Sequence, residues 1–330
     1  MVNLSGKSIL ITGGSGTVGQ SLLLAISKLP KENLPKRVLI LSRDEYKQYL
    51  LQKDFPPNQF PFISYALADV SQYSLILPQF FEIDIVIHAA ALKRVETGEK
   101  QAAAFIQTNV IGTENVLAAA LAQKVSQVIT LSTDKAVYPT TLYGGTKLCA
   151  ERVALQKNQP GVLKSSVIRL GNILGSRGSI VPELHHSRKN TKVTITHSNM
   201  TRFSMTASDC AEYILSQIPT AIGGEILIPK TSAYRLTDLV AEAVPNAEVS
   251  FSSPRGTEKI HETILSEEEA RFGYQRPHDY VVSMDESVLH TYRKQPDTQP
   301  IEVKAHTSES TRKLSRTELA ALILELYPTS

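Results

Sequence analysis

The feature that most constrains this chain is a glycine turn set between two elements of different period. SILIT at 8–12 is a continuous apolar run that reads as a buried strand, GGSGTVG follows at 13–19, and an amphipathic helix is expected over 17–29. Glycines 13, 16 and 19 stand in G-x-x-G-x-x-G spacing. Only glycine lets a backbone turn so tightly and approach a diphosphate, and the helix behind it offers unpaired N–H groups and a favourable dipole. The strand before and the helix after turn a weak glycine pattern into an expectation of dinucleotide binding. Gly13, Ser15, Gly16, Thr17, Val18 and Gly19 are the candidate phosphate contacts.

The same punctuation continues along the chain. RVLIL, FISYA, DIVIHAA and QVITLS are short apolar runs, separated by a segment at 45–53 and a helix expected over 101–123; a helix from near Tyr143 and the strand SSVIRL at 165–170 extend the series. Continuous apolar strands alternating with helices predict an α/β protein with a doubly wound parallel Rossmann sheet covered on both faces. After Gly171 the character changes, because GNILGSRGSIVPELHHSRKN carries more glycine, proline and basic residues. A boundary is therefore expected there, with residues 1–171 forming the dinucleotide domain and 172–330 a smaller C-terminal α/β substrate-binding region. GEILIP at 224–229 is a strand that can return to the main sheet. The polar stretch 294–311 is expected to be an extended connector, and LSRTELAALILEL a closing helix with Ser315 as N-cap and Glu318 three residues later.

Composition narrows the class. A formal charge of +3 over 330 residues is too small to imply nucleic acid, and 42% apolar with 20% charged residues excludes a disordered or fibrous chain. Cys149 and Cys210 cannot build a disulfide framework; both read as inert core thiols in a reducing setting. No uninterrupted apolar run approaches the ~20 residues of a membrane helix, and the start lacks a charged leader with a separate apolar segment. The expectation is a soluble cytoplasmic protein that engages neither membrane nor nucleic acid. His185 and His186 match no metal spacing, so they read as solvated and no metal is expected.

The strand ends refine the cofactor. RVLIL ends in Ser42, Arg43 and Asp44, and a carboxylate at the tip would take the ribose 2′-hydroxyl of NAD. Arg43 stands there instead. With Ser42 and Lys47 it suits a 2′-phosphate, which favours NADP, while Asp44 keeps NAD open. Asp69 and Val70 are candidate adenine contacts, and Ala89, Ala90 and Ala91 are small enough to let the nicotinamide approach the backbone. His88 reads as a packed core histidine.

The chemistry is carried by STDKAVYPTTLYGGTK at 132–147. Tyr143 and Lys147 are four apart and share one helix face, so the ammonium can lower the phenol pKa and the phenolate can take a hydroxyl proton as the adjoining carbon gives up hydride. Behind an upstream dinucleotide turn and a strand ending in Ser132-Thr133, this pattern resembles extended short-chain dehydrogenase/reductases acting on nucleotide sugars. Thr133-Asp134-Lys135 is similar to the pattern of sugar 4,6-dehydratases, which place an acid and a base directly after the threonine. HAAALKRV, LSTDKA, LYGGTK, GNILGSRGSIVP, MTRF and RGTEKIHE together resemble the inverting UDP-N-acetylglucosamine 4,6-dehydratases of the bacterial polysaccharide-biosynthesis group.

What the resemblance implies is specific. Tyr143 takes the proton from O4 as NADP accepts the C4 hydride, Lys135 removes the C5 proton, Asp134 protonates the departing 6-hydroxyl, and hydride returns to C6. NADP stays bound, and the product is an L-arabino 4-keto-6-deoxy sugar for surface glycan or flagellin glycosylation. A lysine of pKa near ~10.4 is a poor base, so Lys135 needs burial or a neighbouring cation, for which Lys147 is the candidate. The UDP-sugar is expected against Lys93, Asn172, Ile173, Arg177, Gly178, Ser179, Ile180 and Val181, with Arg255 on its diphosphate; Thr194 and Thr196 lie near uracil or in strand packing. The resemblance further implies a homo-oligomer, up to a hexamer. Two other readings are a UDP-sugar 4-epimerase or bifunctional dehydratase/epimerase, and a non-enzymatic NADP-binding scaffold; intact Thr133, Tyr143 and Lys147 argue against the second.

Overall fold

The computed structural model describes residues 2–186, 192–252 and 256–327. Six apolar runs form strands: β1 (Ser8–Thr12), β2 (Arg37–Ser42), β3 (Ile63–Leu67), β4 (Ile85–His88), β5 (Gln127–Thr133) and β6 (Lys164–Leu170). They lie in the order β3-β2-β1-β4-β5-β6 with every pair parallel. Strand Ile226–Pro229 adds in parallel beside β6, and Asp279–Val282, Gly273–Gln275 and Gln299–Pro300 complete the ten-stranded sheet in antiparallel fashion. The chain beyond residue 171 thus supplies four of its strands.

Why the runs are apolar without alternation follows from the pleat. Ile9, Ile11, Val38, Ile40, Ile87 and Ile129 pack in one buried cluster, while Leu10, Leu39, Leu41, Val86, Val128 and Val167 pack in another on the opposite face. Burying one such side chain fully contributes roughly 1.5–3 kcal/mol, so a doubly covered strand has no place for a solvated position. A third cluster gathers Leu174, Val181, Leu184, Met200, Tyr234, Leu239 and Ile323 in the C-terminal part of the chain.

Several expectations are corrected here. The polar stretch 294–311 is pinned at two places: Gln299–Pro300 pairs with Gly273–Gln275, and His306–Thr307 pairs with Thr263–Leu265. Backbone pairing tolerates polar side chains that face water, which is why polarity alone misread it. Cys149 is exposed on the outer side of helix Leu142–Gln156, and only Cys210 is buried. The closing helix Arg316–Leu326 has the expected reciprocal cap, Ser315 Oγ accepting from the Glu318 N–H and the Glu318 carboxylate accepting from the Ser315 N–H.

The long helix expected over 101–123 is interrupted. Ala102–Phe105 runs into a wider π-helical turn at Ile106–Ile111 before α-helix resumes at Gly112–Ala122. In that turn lies Asn109, fully buried. Its Oδ1 accepts from the Leu92 N–H at 2.8 Å, and its Nδ2 donates to the Leu92 carbonyl at 2.9 Å and to Thr146 Oγ1 at 3.0 Å. One side chain thereby ties the segment after β4 to the helix that carries Tyr143.

β6 carries a buried cation. Arg169 donates to Glu151 at 3.0 and 2.8 Å, to Glu269 at 2.9 and 2.8 Å, and to the Ile264 carbonyl at 3.0 Å. The network binds helix Leu142–Gln156 and the turn Glu267–Ala270 to the sheet. Among the described residues, no helix is long and apolar enough to cross a membrane.

Candidate active site

In the order β3-β2-β1-β4, the chain leaves the edge strand β3 and re-enters on the far side of β1, and such a switch opens a crevice at the carboxyl ends of the strands. A cavity of about 740 Å³ occupies it. Its wall includes Gly13, Ser15, Gly16, Thr17, Val18 and Gly19 after β1; Ser42, Arg43 and Lys47 after β2; Asp69 and Val70 after β3; and Ala89, Ala90 and Ala91 after β4. Gly13 has φ +67°, and a Cβ there would lie 2.7 Å from the backbone of Ala90. The turn is thus left-handed and pressed against the β4 loop, leaving bare backbone toward the cavity, and these residues fit a dinucleotide.

The β2 tip separates its two charges. Asp44 caps helix Glu45–Asp54, accepting from the Lys47 N–H at 2.9 Å and pairing with Lys47 Nζ at 2.5 Å. Arg43, half exposed, donates to Asp69 at 3.1 Å. His88 is the core residue expected: Nδ1 meets Thr12 Oγ1 at 2.7 Å and Nε2 meets Thr113 Oγ1 at 3.0 Å, and burial drives its pKa down to about 3. A neutral imidazole that holds two hydroxyls is structural.

The candidate reacting groups sit where β5 ends. Thr133 closes the strand, and a single 3₁₀ turn, Asp134–Ala136, presents Lys135 to the cavity. Gly144, in the first turn of the next helix, packs directly on the Lys135 carbonyl, where any Cβ would collide. Tyr143 and Lys147 therefore face the same wall as Thr133 and Lys135. Lys135 Nζ donates to Asp134 Oδ1 at 3.0 Å and to Asn172 Oδ1 at 3.1 Å, and lies 3.4 Å from Glu262 Oε1. Thr133 Oγ1 also donates to Asp134 Oδ1, at 3.0 Å.

Two expectations about this turn are corrected. Asp134 is fully buried and is absent from the cavity wall, so it reaches the cavity through the Thr133 hydroxyl and the Lys135 amine it bonds. Lys147 does not act on Lys135 as foreseen; its Nζ donates to the Leu131 carbonyl at 2.7 Å, and burial, opposed by Glu151, lowers its pKa to about 8. Burial also opposes the Lys135 ammonium, but Asp134 and Glu262 outweigh it and hold the pKa above the ordinary value, with Arg202 as the neighbouring cation working the other way. Tyr143 is raised by burial, and the charge of Lys135 and a hydrogen bond with Thr133 are what favour its phenolate.

Glu262 and Arg202 were overlooked, although MTRF and RGTEKIHE contain them. Glu262 is 4% exposed, and Arg202 Nε lies 3.8 Å from its Oε1. Burial would raise the Glu262 pKa, but Lys135 and Arg202 outweigh it and keep the carboxylate charged. Burial and that nearby charge push Asp134 up, against the pull of Lys135. Arg202 and Lys259 thus help Lys135 keep Glu262 ionised, while burial and Glu262 hold the Asp134 pKa above the ordinary carboxyl value. Only the MTRF and RGTEKIHE motifs could have signalled this, because spacing cannot bring position 262 beside position 135.

The expected substrate residues divide. Lys93, Asn172, Ile173, Arg177, Gly178 and Ser179 line the cavity. Ile180 and Val181 begin helix Ile180–His186, whose apolar side packs into the third core, so Val181 is 1% exposed and away from the cavity. Thr194 bonds Ser250 at 3.0 Å and Thr196 bonds Met200 Sδ at 3.2 Å, and neither lines the cavity. Arg255 and the side chains of His185 and His186 lie outside the described residues. No group of three or more His, Cys, Asp or Glu able to hold a metal occurs among the described residues.

The chain matches the family described as polysaccharide biosynthesis protein over residues 9–284. It is 35% identical over 285 residues to a UDP-N-acetylglucosamine 4,6-dehydratase (inverting) of Campylobacter jejuni, covering 84% of this chain and 83% of that one. A UDP-glucose 4-epimerase of Rickettsia massiliae is 34% identical over 331 residues, covering 97% and 96%. Among solved structures, Pen from Bacillus thuringiensis superimposes with a TM-score of 0.87 at 30% identity, over 98% of each chain.

Proposed function

This chain belongs to the polysaccharide biosynthesis protein family, and from that premise we propose that it is a C5-inverting UDP-N-acetylglucosamine 4,6-dehydratase that keeps NADP. The observation that carries the reading is the amine of Lys135 on the cavity wall, with Asp134 behind it and Tyr143 facing the same space as the glycine turn. UDP-sugar 4-epimerases and bifunctional relatives share the Ser-Thr-Asp-Lys pattern, and it is the retention of Tyr143 beside it that argues for simple dehydration.

When bound against the glycine turn and Ala89 to Ala91, a nicotinamide would supply the hydride acceptor and donor for the exchange between C4 and C6. Tyr143 takes the O4 proton, giving a 4-ketone that acidifies C5–H. In the resting ion pair, Lys135 holds the proton that Asp134 needs. Moving it across 3.0 Å yields an uncharged amine and a protonated acid with no net gain or loss of protons. The amine then removes the C5 proton while the acid, through Thr133 or Lys135, protonates the 6-hydroxyl, so water leaves. Hydride at C6 and a proton at C5 complete the product. Arg43 at the β2 tip, with Asp44 engaged as a helix cap, supports a 2′-phosphate and hence NADP. The same reading includes a cytoplasmic homo-oligomer, with the sugar nucleotide between the strand ends and the smaller region 172–330.

The test is to incubate the purified protein with UDP-N-acetylglucosamine in deuterated water without added cofactor and follow the sugar by NMR. A new methyl signal with deuterium at C5 is expected. An epimer that keeps its 6-hydroxyl would instead select the epimerase reading, which the similarity to the Rickettsia enzyme keeps in view.

Glu262→Gln tests the electrostatics. Glu262 raises the pKa of both Asp134 and Lys135. Removing its charge lowers both, so the two limbs of the kcat/KM profile are expected to move to lower pH together. A drop in amplitude with both limbs unmoved would leave Glu262 a merely structural role.

A further inference from the structure

The turn that presents Lys135 is held from outside the cavity. The Val137 N–H donates to the Asp134 carbonyl at 3.1 Å, which closes the turn, and Tyr138, the next residue, has φ +45°. A non-glycine backbone in the left-handed region persists only where its surroundings over-determine it. Three contacts with the segment 257–268 do so here. Lys259 Nζ donates to the Val137 carbonyl at 2.6 Å, Thr140 Oγ1 donates to the Thr257 carbonyl at 2.8 Å, and the Tyr138 hydroxyl donates to the Glu268 carboxylate.

Of the three, Lys259 is the one joined to the charges around the Lys135 amine. Its own carbonyl accepts from Arg202 Nη2 at 3.0 Å, Arg202 Nε lies 3.8 Å from Glu262, and Glu262 lies 3.4 Å from Lys135 Nζ. These contacts close a ring that leaves Lys135 through its side chain and returns through the backbone of residues 135–137. Lys259 is half-buried and does not line the cavity, so it can influence a bound sugar only through this turn. The Tyr138 and Thr140 bonds are exposed and lie outside the ring. Burial works against the Lys259 ammonium; Glu262 and Asp134 favour it, and Lys135 and Arg202 oppose it. Glu258 completes the set of charges at this place, 3.8 Å from Arg202 Nη2.

We propose that Lys259 is a positioning residue for the dehydration half of the reaction: its bond to the Val137 carbonyl fixes the direction in which Lys135 enters the cavity, and its charge helps keep the Glu262 carboxylate beside that amine. The inference rests on the dehydratase reading of the site. Tyr143 and Lys147, which serve the oxidation half, stand on the following helix with anchors of their own, Lys147 Nζ on the Leu131 carbonyl and Thr146 on Asn109. Loss of Lys259 therefore bears on the elimination more than on hydride transfer. Because charges act on one another mutually, removing this one raises the proton affinity of Glu262, Asp134 and Lys135 together.

The experiment uses the full chain and its Lys259→Met, Lys259→Gln and Lys259→Arg variants with UDP-N-acetylglucosamine. Single turnovers follow sugar oxidation by the absorbance of reduced cofactor and C5 exchange by deuterium entry in NMR, and kcat/KM for dehydration is measured across pH. A small misplacement of a reacting group costs up to about 10²-fold, so Lys259→Met is expected to slow C5 exchange and dehydration about 10- to 100-fold, with oxidation within about threefold of wild type. Both limbs of its pH profile should move to higher pH, opposite to the shift expected for Glu262→Gln. Lys259→Arg keeps a charged donor, so it should recover most of the rate and hold both limbs at their wild-type positions. An equal circular dichroism melting profile shows that the fold is intact; if the methionine variant does not fold, Lys259→Gln, uncharged and one bond too short for the Val137 carbonyl, carries the same comparison. Equal losses of oxidation and C5 exchange would overturn the positioning role in favour of general disruption of the site. C5 exchange within about threefold of wild type, with both limbs unmoved, would overturn it as a surface contact. Failure of the wild type to dehydrate the sugar would remove the dehydratase reading itself, a result distinct from failure of the role given to Lys259.

Discussion

Lys135→Ala is expected to lower dehydration by at least about 10³-fold while the first oxidation of the sugar remains visible. A positioned general base contributes about 10² to 10⁴ in rate, and this residue does more than accept one proton. Its ammonium is shared by Asp134, Asn172 and Glu262, so its removal leaves Asp134 buried without its cation. The acid and the base are lost together. Thr133, Tyr143 and Lys147 stay in place on the cavity wall, so hydride can still leave C4, more slowly because the Lys135 charge that favours the Tyr143 phenolate is gone. In a single turnover with UDP-N-acetylglucosamine, the variant should show absorbance rising near 340 nm without a methyl signal and without deuterium entering C5. Lys135→Met, which fills the same space with an uncharged chain, guards against reading a folding defect as a chemical one. Dehydration by either variant within about tenfold of wild type would mean that another group removes the C5 proton.

Arg169→Met is expected to destabilise the protein by about 3–5 kcal/mol without touching the cavity. Replacing a whole buried ion network by apolar groups can be neutral, but removing one partner leaves uncompensated charge. Here the loss is severe because Arg169 and Glu151 are 1% exposed and Glu269 is 11% exposed. The pH dependence gives the sign. Burial alone would raise the Glu269 pKa, but the hydrogen bond and charge of Arg169 outweigh it and hold it below the ordinary value. A depressed carboxyl contributes stability that is fully present above the unfolded glutamate pKa of about 4.3 and is lost as pH falls through the folded value. In Arg169→Met that carboxyl keeps only the Ser266 N–H and the more distant charge of Arg152 against burial, so its pKa rises and acidification toward pH 5 should restore part of the deficit. Urea unfolding of both proteins at pH 5 and pH 7.5 measures this, and adding Glu151→Gln and Glu269→Gln to the variant should recover stability at pH 7.5. A deficit below about 1 kcal/mol in the single variant would show that the network is hydrated and weak.

The parallel sheet, the glycine turn, the helix caps and the cluster from Thr133 to Lys147 were legible in the residues themselves. Apolar runs such as SILIT and QVITLS declare buried strands because the pleat sends alternate side chains to two covered faces. Gly13 and Ser315 declare a turn and a cap because their chemistry acts on backbone groups within a few residues. Periodicity also misled where it met tertiary demands. A regular helix over 101–123 gave way to a π turn where Asn109 had to reach Leu92 and Thr146, and a polar connector turned out to be stitched to two sheets. Val181 followed the apolar face of its helix into a core, although its motif pointed at a substrate.

By itself the sequence determined where strands, turns and reacting side chains lie along the chain, since those depend on neighbours one to four residues away. Only the tertiary structure decided which charges meet: that Lys135 is held by Glu262 and Asn172, that Arg202 lies beside Glu262, and that Arg177 crosses to the turn after β1. The reason is physical. A buried group's proton affinity depends on the charges within a few ångströms and on the water excluded around them, and folding brings those charges from segments far apart in the chain.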